Sequence, residues 1–375
     1  MNNQTKCAVL QVNHSLGVGG AEKVIVNIAR NISKEKYVFY FICLDFLGDI
    51  GNRLKQEGYT VEVLERRPGW DFRIVKLIHD FILENSIKIV HAHQYTPFFY
   101  SALACRKISE AKLIFTEHGR HQPDKVRWKR SLFNKIYERK ITAITAVSEF
   151  SKKSLVDYER FKDKKIQVIY NGIDEKKYSG EFDKERIKKT LGLSNITPII
   201  GCIARFSPVK NQYYLLNAFK LVLQRIPHAV LLMVGDGELL EEVRVLSQKL
   251  GITSNVRFLG RRDDIPELLN ILDVFTLPSI AEATSITLLE SMASGIPSVV
   301  TAVGGNVEII HDKKTGILVP LDNPQMYAEA LIMLLENPEK RKIIGMNARA
   351  YMMKNFTLDK MIKNYEKLYH ESAKQ

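Results

Sequence analysis

The sequence predicts an α/β protein of two domains, each a parallel sheet flanked by helices, and three observations carry that reading. The 375 residues exceed one ordinary core and suit two domains of about 150 to 200 residues. Short β-branched runs alternate with helical patterns nearly throughout, as parallel strands joined by crossover helices require. The composition, 45% hydrophobic and 26% charged, is that of a globular chain. No apolar run approaches the roughly 20 residues of a membrane span, and the N-terminus lacks the blocks of a signal peptide, so a cytoplasmic location is expected. Cys7, Cys43, Cys105 and Cys202 are scattered without short pairings, which suggests neither a zinc site nor a disulfide framework.

Residues 6–15 read as the first strand, ending in Gly17-Val18-Gly19-Gly20. Apolar residues at 21, 24, 25 and 28 then follow a helical period. A Gly-rich loop from strand to helix brings backbone close to an anion, although Glu22 stands where the G-x-G-x-x-G fingerprint needs its last glycine. A plain tight turn is the alternative. Residues 37–44 and 58–64 read as strands and 72–85 as a helix. The strand 87–93 sends His91 and His93 to one face. No third ligand accompanies them at metal spacing, which favours hydrogen bonding at the strand end. The strand 112–118 ends in His118-Gly119, at the carboxyl end where parallel sheets place ligands, so His118 is the stronger candidate.

Residues 120–140 hold eight Lys and Arg against two acids. Val126, Trp128, Leu132, Phe133, Ile136 and Tyr137 form an apolar face there. Such a helix either packs its aromatics on the sheet or lies on an anionic bilayer. A strand at 141–147, a helix capped from Ser148 and a strand at 165–170 lead to the turn Asn171-Gly172. The polar stretch 178–194 marks the domain boundary.

The second half repeats the architecture. A strand at 198–204 runs into a loop holding Arg205 and Lys210, which can neutralise a diphosphate or be two solvated cations. A helix follows over 211–225. Strands are expected at 229–234, 255–260 and through Phe275, with Gly235-Asp236-Gly237 after the first and a short helix at 266–271. Asp263 and Asp264 read as helix caps rather than metal ligands, and no catalytic metal is expected. Glu282 stands in the loop after the strand at 273–279, and Glu290 inside the next helix, with Ser285 and Thr287 available to cap it. The first amides of such a helix lack intrahelical acceptors and its dipole is positive, so a phosphate can rest there. A carboxylate on either side would take hydroxyl groups. That combination describes a sugar nucleotide, while two solvated acids on a helix remain the alternative. Residues 297–301, Gly304-Gly305-Asn306 and a hairpin-like 315–320 complete the domain, and three helices close the chain from about 323.

The net charge of +13 is uneven. Residues 1–180 carry 31 Lys and Arg against 20 Asp and Glu, or +11, and residues 181–375 carry 24 against 22, or +2. A basic half attracts a membrane surface, a phosphorylated acceptor or nucleic acid, and nucleic acid is set aside because no recognition pattern accompanies the charge.

In the order Gly19-Gly20-Ala21-Glu22, Glu117-His118-Gly119, Asn171-Gly172-Ile173-Asp174, Arg205 with Lys210-Asn211, Gly235-Asp236-Gly237, Pro278-Ser279, Glu282 to Glu290, and Gly304-Gly305-Asn306, the chain resembles the retaining glycosyltransferases of family four over its whole length. The resemblance implies the GT-B architecture, two Rossmann-like domains facing a central cleft. It divides the chain into an acceptor-binding domain at 1–178, a donor-binding domain at 179–355, and a helix at 356–375 that packs back on the first. It implies that Arg205 and Lys210 hold the donor diphosphate, Glu290 the ribose and Glu282 the transferred sugar. The amides around Ser285, Ile286 and Thr287 would take the distal phosphate. His118 would reach the reacting sugar, and Gly19 and Gly20 would let the first loop approach the diphosphate or acceptor.

The implied reaction moves a sugar from a nucleoside diphosphate, UDP foremost, to an acceptor hydroxyl, with the configuration kept and neither metal nor cofactor required. Domain closure on binding is also implied. Ala283 and Thr284 replace the Gly and apolar residue many relatives carry, which leaves donor identity open. With the basic half, the expected partner is a glycan or polyprenyl-diphosphate-linked acceptor in bacterial surface polysaccharide synthesis, with the protein peripheral at the inner membrane face. A UDP-sugar epimerase on the same fold and a non-catalytic partner subunit are the rival readings.

Overall fold

The computed structural model describes residues 6–17, 19–119 and 127–375. The chain forms two compact units. The first runs up to Asn171 and resumes with Leu358–Gln375, and the second is Gly172–Thr357.

The first unit alternates β1 (Cys7–Ser15), α1 (Gly20–Asn31), β2 (Tyr37–Phe46), α2 (Gly48–Gln56), β3 (Thr60–Val63), α3 (Arg73–Glu84), β4 (Ile89–His93), α4 (Tyr95–Ala104), β5 (Lys112–Glu117), α5 (Trp128–Tyr137), β6 (Ile141–Ala146), α6 (Glu149–Asp157) and β7 (Ile166–Val168). Its seven strands are all parallel, in the order β3-β2-β1-β4-β5-β6-β7. The inner strands β1, β4 and β5 are buried on both faces, which is why they read as near-continuous apolar runs. Helix α3 turns Ile74, Ile78 and Ile82 inward at four-residue intervals.

The second unit contains α7 (Lys184–Thr190), β8 (Ile199–Ile203), α8 (Gln212–Arg225), β9 (Val230–Val234), α9 (Leu240–Lys249), β10 (Val256–Gly260), α10 (Ile265–Asn270), β11 (Val274–Leu277), α11 (Ile286–Ala293), β12 (Ser298–Thr301), α12 (Asn306–Ile309), β13 (Ile317–Val319), α13 (Pro324–Glu336) and α14 (Pro338–Asn355). Its six parallel strands run β10-β9-β8-β11-β12-β13. Both orders are doubly wound, so each sheet reverses its winding at one place, between β1 and β4 and between β8 and β11. Helix α15 (Leu358–Lys374) returns to the first unit, with Tyr365 and Tyr369 fully buried.

Several expectations shift. The boundary falls after Asn171 rather than at 178, because Ile173 bridges Thr357 and Tyr178 hydrogen-bonds Glu290, which ties residues 172–178 to the second unit. The last helix starts at Leu358 rather than 356, where the Phe356 carbonyl accepts from Ile173 N–H at 3.1 Å. Helix α4 was not anticipated. Its residues are apolar nearly all round, so no polar face marks the period. Nor was α2, which contains two glycines. Residues 317–319 form a parallel edge strand on β12, not a hairpin. Asp264 occupies the N-cap position of α10 but makes no side-chain cap hydrogen bond; its carboxylate holds Arg262 at 2.5 Å. Within the expected helix at 120–140, regular structure begins at Trp128. Residues 120–126, Val126 among them, lie outside the described residues, as does Val18 in the first loop. Among the described residues no helix is long and apolar enough to cross a membrane.

Candidate functional site

In the second unit the candidate site grows from the topology. Strands β8 and β11 are neighbours at the point where winding reverses, so the loops leaving their carboxyl ends must diverge and line a crevice. The β8 loop is braced by Gly235, whose φ of +138° suits glycine, and a Cβ there would lie 2.1 Å from the Ala204 carbonyl oxygen. Phe206 N–H donates to the Asp236 carbonyl at 2.7 Å, and Gln212 Nε2 donates to the Arg205 carbonyl at 2.8 Å. Ile280 N–H donates to the Val209 carbonyl at 2.9 Å, which joins this loop to the one after β11.

Lys210 Nζ thereby meets Glu282 Oε1 at 2.5 Å, and Ser279 Oγ donates to the same oxygen at 2.6 Å. The Lys210 and Glu282 side chains are 25% and 8% exposed, enough burial for their charges to be weakly screened. The Glu282 loop is clamped from the other side. Gly305 N–H donates to the Glu282 carbonyl at 2.9 Å, and a Cβ on Gly305 would stand 1.4 Å from the Ala283 carbonyl oxygen. Only glycine allows these two backbones to approach so closely.

Helix α11 begins directly after this loop. Ser285 Oγ accepts from Leu288 N–H at 3.3 Å as the N-cap, and the Thr287 hydroxyl lies 3.3 Å from it. Ile286 opens the helix. Glu290, just over one turn on, is buried and its carboxylate takes the Tyr178 hydroxyl; burial, with that carboxylate beside it, pushes the phenol's pKa well up. Arg205 differs from Lys210. Its guanidinium reaches Glu238 at 3.1 Å in an exposed pair, screened by solvent and readily exchanged. Lys210, Glu282, Ser285, Ile286 and Thr287 thus share one loop cluster, and Glu290 lies deeper on the same helix.

In the first unit, His118 follows β5 and heads a buried polar chain. Its Nε2 is 2.8 Å from His93 Nδ1, and His93 Nε2 is 2.6 Å from Gln11 Oε1. Gln11 Nε2 donates to the Tyr369 hydroxyl at 2.9 Å, which lies 2.7 Å from His91 Nδ1. His91 Nε2 then reaches Thr116 Oγ1 at 2.6 Å, and Thr116 reaches Thr145 at 2.5 Å. One assignment of protons satisfies every link. Gln11 donates to Tyr369, so Gln11 Oε1 accepts from His93 Nε2–H; His93 Nδ1 is then bare and accepts from His118 Nε2–H. Tyr369 donates to His91 Nδ1, and His91 Nε2–H donates onward to Thr116. All three rings are neutral in this scheme, in agreement with burial, which holds His91 and His93 well below the usual histidine range and His118 at about 4. His118 Nδ1 is left as a lone pair with no partner among the described residues.

Both ring nitrogens of His91 and of His93 are therefore engaged in hydrogen bonds, and no cluster of three metal-binding side chains exists among the described residues. Gln11 and Tyr369 carried no signal in the sequence, because nothing in local spacing relates a β1 residue to one in α15. At the first loop, Gly19 is the N-cap position of α1 and Gly20 its first residue, and the Glu22 carboxylate lies over Gly19. Burial raises the pKa of Glu22.

Two family profiles match the chain. "Glycosyltransferase Family 4" covers residues 18–177, and "Glycosyl transferases group 1" covers residues 183–351. The chain is 29% identical over 368 residues to the N-acetyl-alpha-D-glucosaminyl L-malate synthase of Bacillus anthracis, covering 94% of each. It is 27% identical to the UDP-Gal:alpha-D-GlcNAc-diphosphoundecaprenol alpha-1,3-galactosyltransferase of Escherichia coli, covering 80% of this chain and 79% of that one. A glycosyltransferase from Rickettsia africae ESF-5 superposes with a TM-score of 0.87 at 24% identity, over 99% of this chain and 100% of that one. Anabaena Alr3699/HepE in complex with UDP gives 0.84 at 23% identity, over 98% and 100%. With profiles spanning both units and a fold shared along the whole length, the chain belongs to the family 4 glycosyltransferases of GT-B fold.

Proposed function

We propose that the protein transfers a sugar from a nucleoside diphosphate donor, with uridine the first candidate base, to a hydroxyl of a lipid-linked glycan acceptor, keeping the anomeric configuration. The observation that carries this reading is the meeting of Lys210, Glu282 and the Ser285-capped start of α11 at the winding reversal of the second sheet. Breaking the sugar–phosphate bond puts negative charge on the departing diphosphate. Lys210, Arg205 and the first amides of α11 would stabilise that charge in the transition state more than in the ground state. In this role they would do the work otherwise given to a divalent metal. Glu282 would turn from Lys210 to the hydroxyls of the transferred sugar, and Glu290 would accept from the ribose. His118 Nδ1, bare and fixed as an acceptor, would take a sugar hydroxyl proton in a hydrogen bond. Gly19 and Gly20 would admit the diphosphate or the acceptor to the first loop.

The relatives lend support. The name of the Escherichia coli protein gives a UDP-sugar donor, an α-1,3 linkage and a diphosphoundecaprenol-linked acceptor, and the Anabaena protein was solved with UDP. The first 180 residues carry +11, which suits an anionic lipid and the inner face of a bacterial membrane during surface polysaccharide synthesis.

Titration calorimetry with UDP, GDP and ADP tests the donor, and the expected order places UDP tightest. Lys210→Ala should weaken UDP binding at least tenfold, and unchanged binding would sink the diphosphate assignment. Activity should persist in EDTA. Incubation with donor alone should give no epimer, because an epimer formed at useful rates without acceptor would favour the epimerase reading. The anomeric configuration of the product, read by proton NMR coupling, decides retention.

A further inference from the structure

The first unit holds a second concavity, separate from the histidine chain. The loop after β3, helix α4 and helix α5 enclose about 540 Å³, a volume within the range of small-molecule sites, lined by Arg66, Trp70, Tyr95, Phe99, Phe133 and Ile136 among others. Its walls are aromatic and mutually braced. Trp70 meets Phe99 edge-on at 5.2 Å, Phe99 meets Phe133 at 4.7 Å, and Phe133 stacks on Tyr137 at 4.3 Å. Yet the mouth is unusually apolar for a surface, since Trp70, Leu132 and Ile136 are 69%, 56% and 63% exposed.

The rim is cationic. Arg66 is fixed by Asp45 at 2.9 Å, and Arg130 lies over the Tyr95 ring and reaches Glu159 at 3.3 Å. Those two cations are largely neutralised and act as wall. Lys129 also lines the concavity, and among the described residues no acid pairs with it. An aromatic-lined apolar concavity with a cation at its edge is complementary to a hydrocarbon chain ending in an anion.

We infer that this groove seats the hydrocarbon chain of a prenyl-phosphate-type acceptor lipid, with the phosphate at Lys129. The inference rests on the acceptor half of the function proposed above and assigns it a site. Geranylgeranyl diphosphate, kept below the concentration at which it aggregates, is the probe. The sequence has two tryptophans, Trp70 and Trp128, and only Trp70 lines the groove, so Trp128→Phe leaves one emitter in the wall. Saturable blue-shifted emission is expected. Geranylgeraniol should bind at least fivefold more weakly, and inorganic diphosphate should leave the emission unmoved. Leu132→Glu and Ile136→Glu, both at exposed positions, should weaken binding at least tenfold with unchanged circular dichroism, and Lys129→Glu should erase the advantage of the diphosphate over the alcohol.

Four results would overturn the inference: no shift, a shift indifferent to the two glutamates, a shift seen only with phosphatidylglycerol vesicles, or burial of Trp70 that follows protein concentration without lipid. The third would assign the patch to bilayer adsorption and the fourth to a second copy of the chain. Calorimetry with UDP on the same variants separates this inference from the donor reading. Retained UDP binding alongside absent chain binding refutes the groove alone.

Discussion

Replacing Tyr369 by Phe removes one oxygen from the centre of the buried chain that ends at His118. The ring stays, so its contacts with Tyr37 at 5.9 Å and Phe39 at 6.3 Å are kept, and the change isolates the hydroxyl. Two fully buried groups lose their partner, the Gln11 amide donor at 2.9 Å and His91 Nδ1 at 2.7 Å. Each stranded group costs about 1–3 kcal/mol, and removing the hydroxyl returns part of its own desolvation, so the expected loss is about 2–4 kcal/mol. Urea unfolding followed by tryptophan emission measures it. Trp70 and Trp128 both belong to the first unit, so the signal follows that unit rather than a mixture of two. Gln11→Leu breaks the same chain at the next link, so the double variant should fall short of the summed losses by about 1 kcal/mol or more. A loss for Tyr369→Phe below about 0.5 kcal/mol, or strict additivity with Gln11→Leu, would show that the chain is not a coupled network.

Acid should weaken the first unit through the same histidines. Their folded pKa values lie below the usual 6.5, so the unfolded chain binds more protons and stability is full above about pH 6.5 and falls as pH drops towards 4. Each histidine kept neutral adds a slope of up to about 1 kcal/mol per pH unit as pH falls through that window, to be read from urea midpoints between pH 7 and pH 5. Gly305→Ala drives a Cβ into the Ala283 carbonyl and should separate the two loops, costing about 1–3 kcal/mol in thermal stability and most UDP binding. Lys210→Met leaves Glu282 without its cation and, discounted for partial exposure, should cost about 1–3 kcal/mol in unfolding assays. The same change should lower turnover about 10²- to 10³-fold if Lys210 stabilises the leaving diphosphate.

The parts of the candidate site written in one segment were legible as a local grouping. Glu282, Ser285, Thr287 and Glu290 lie within one loop and one helix, so helical geometry and capping chemistry place them without knowledge of the rest. Strand ends were legible too, since His118, Arg205 and Lys210 all follow apolar runs and parallel sheets collect function at those ends. Helix α4 was hidden because burial removes the polar face on which periodicity depends.

Sequence alone therefore determined the fold class, the two parallel sheets, the family and the cluster around α11, because each is encoded in local pattern or in motifs of fixed order. Tertiary structure decided the rest. It joined Lys210 to Glu282 across 72 positions, moved residues 172–178 into the second unit, and closed the chain from His118 through Gln11 to Tyr369. The physical reason is that hydrogen bonds reach only about 3 Å and ignore sequence separation. Which partners they find is fixed by strand order and by the return of α15, neither of which leaves a period in the sequence.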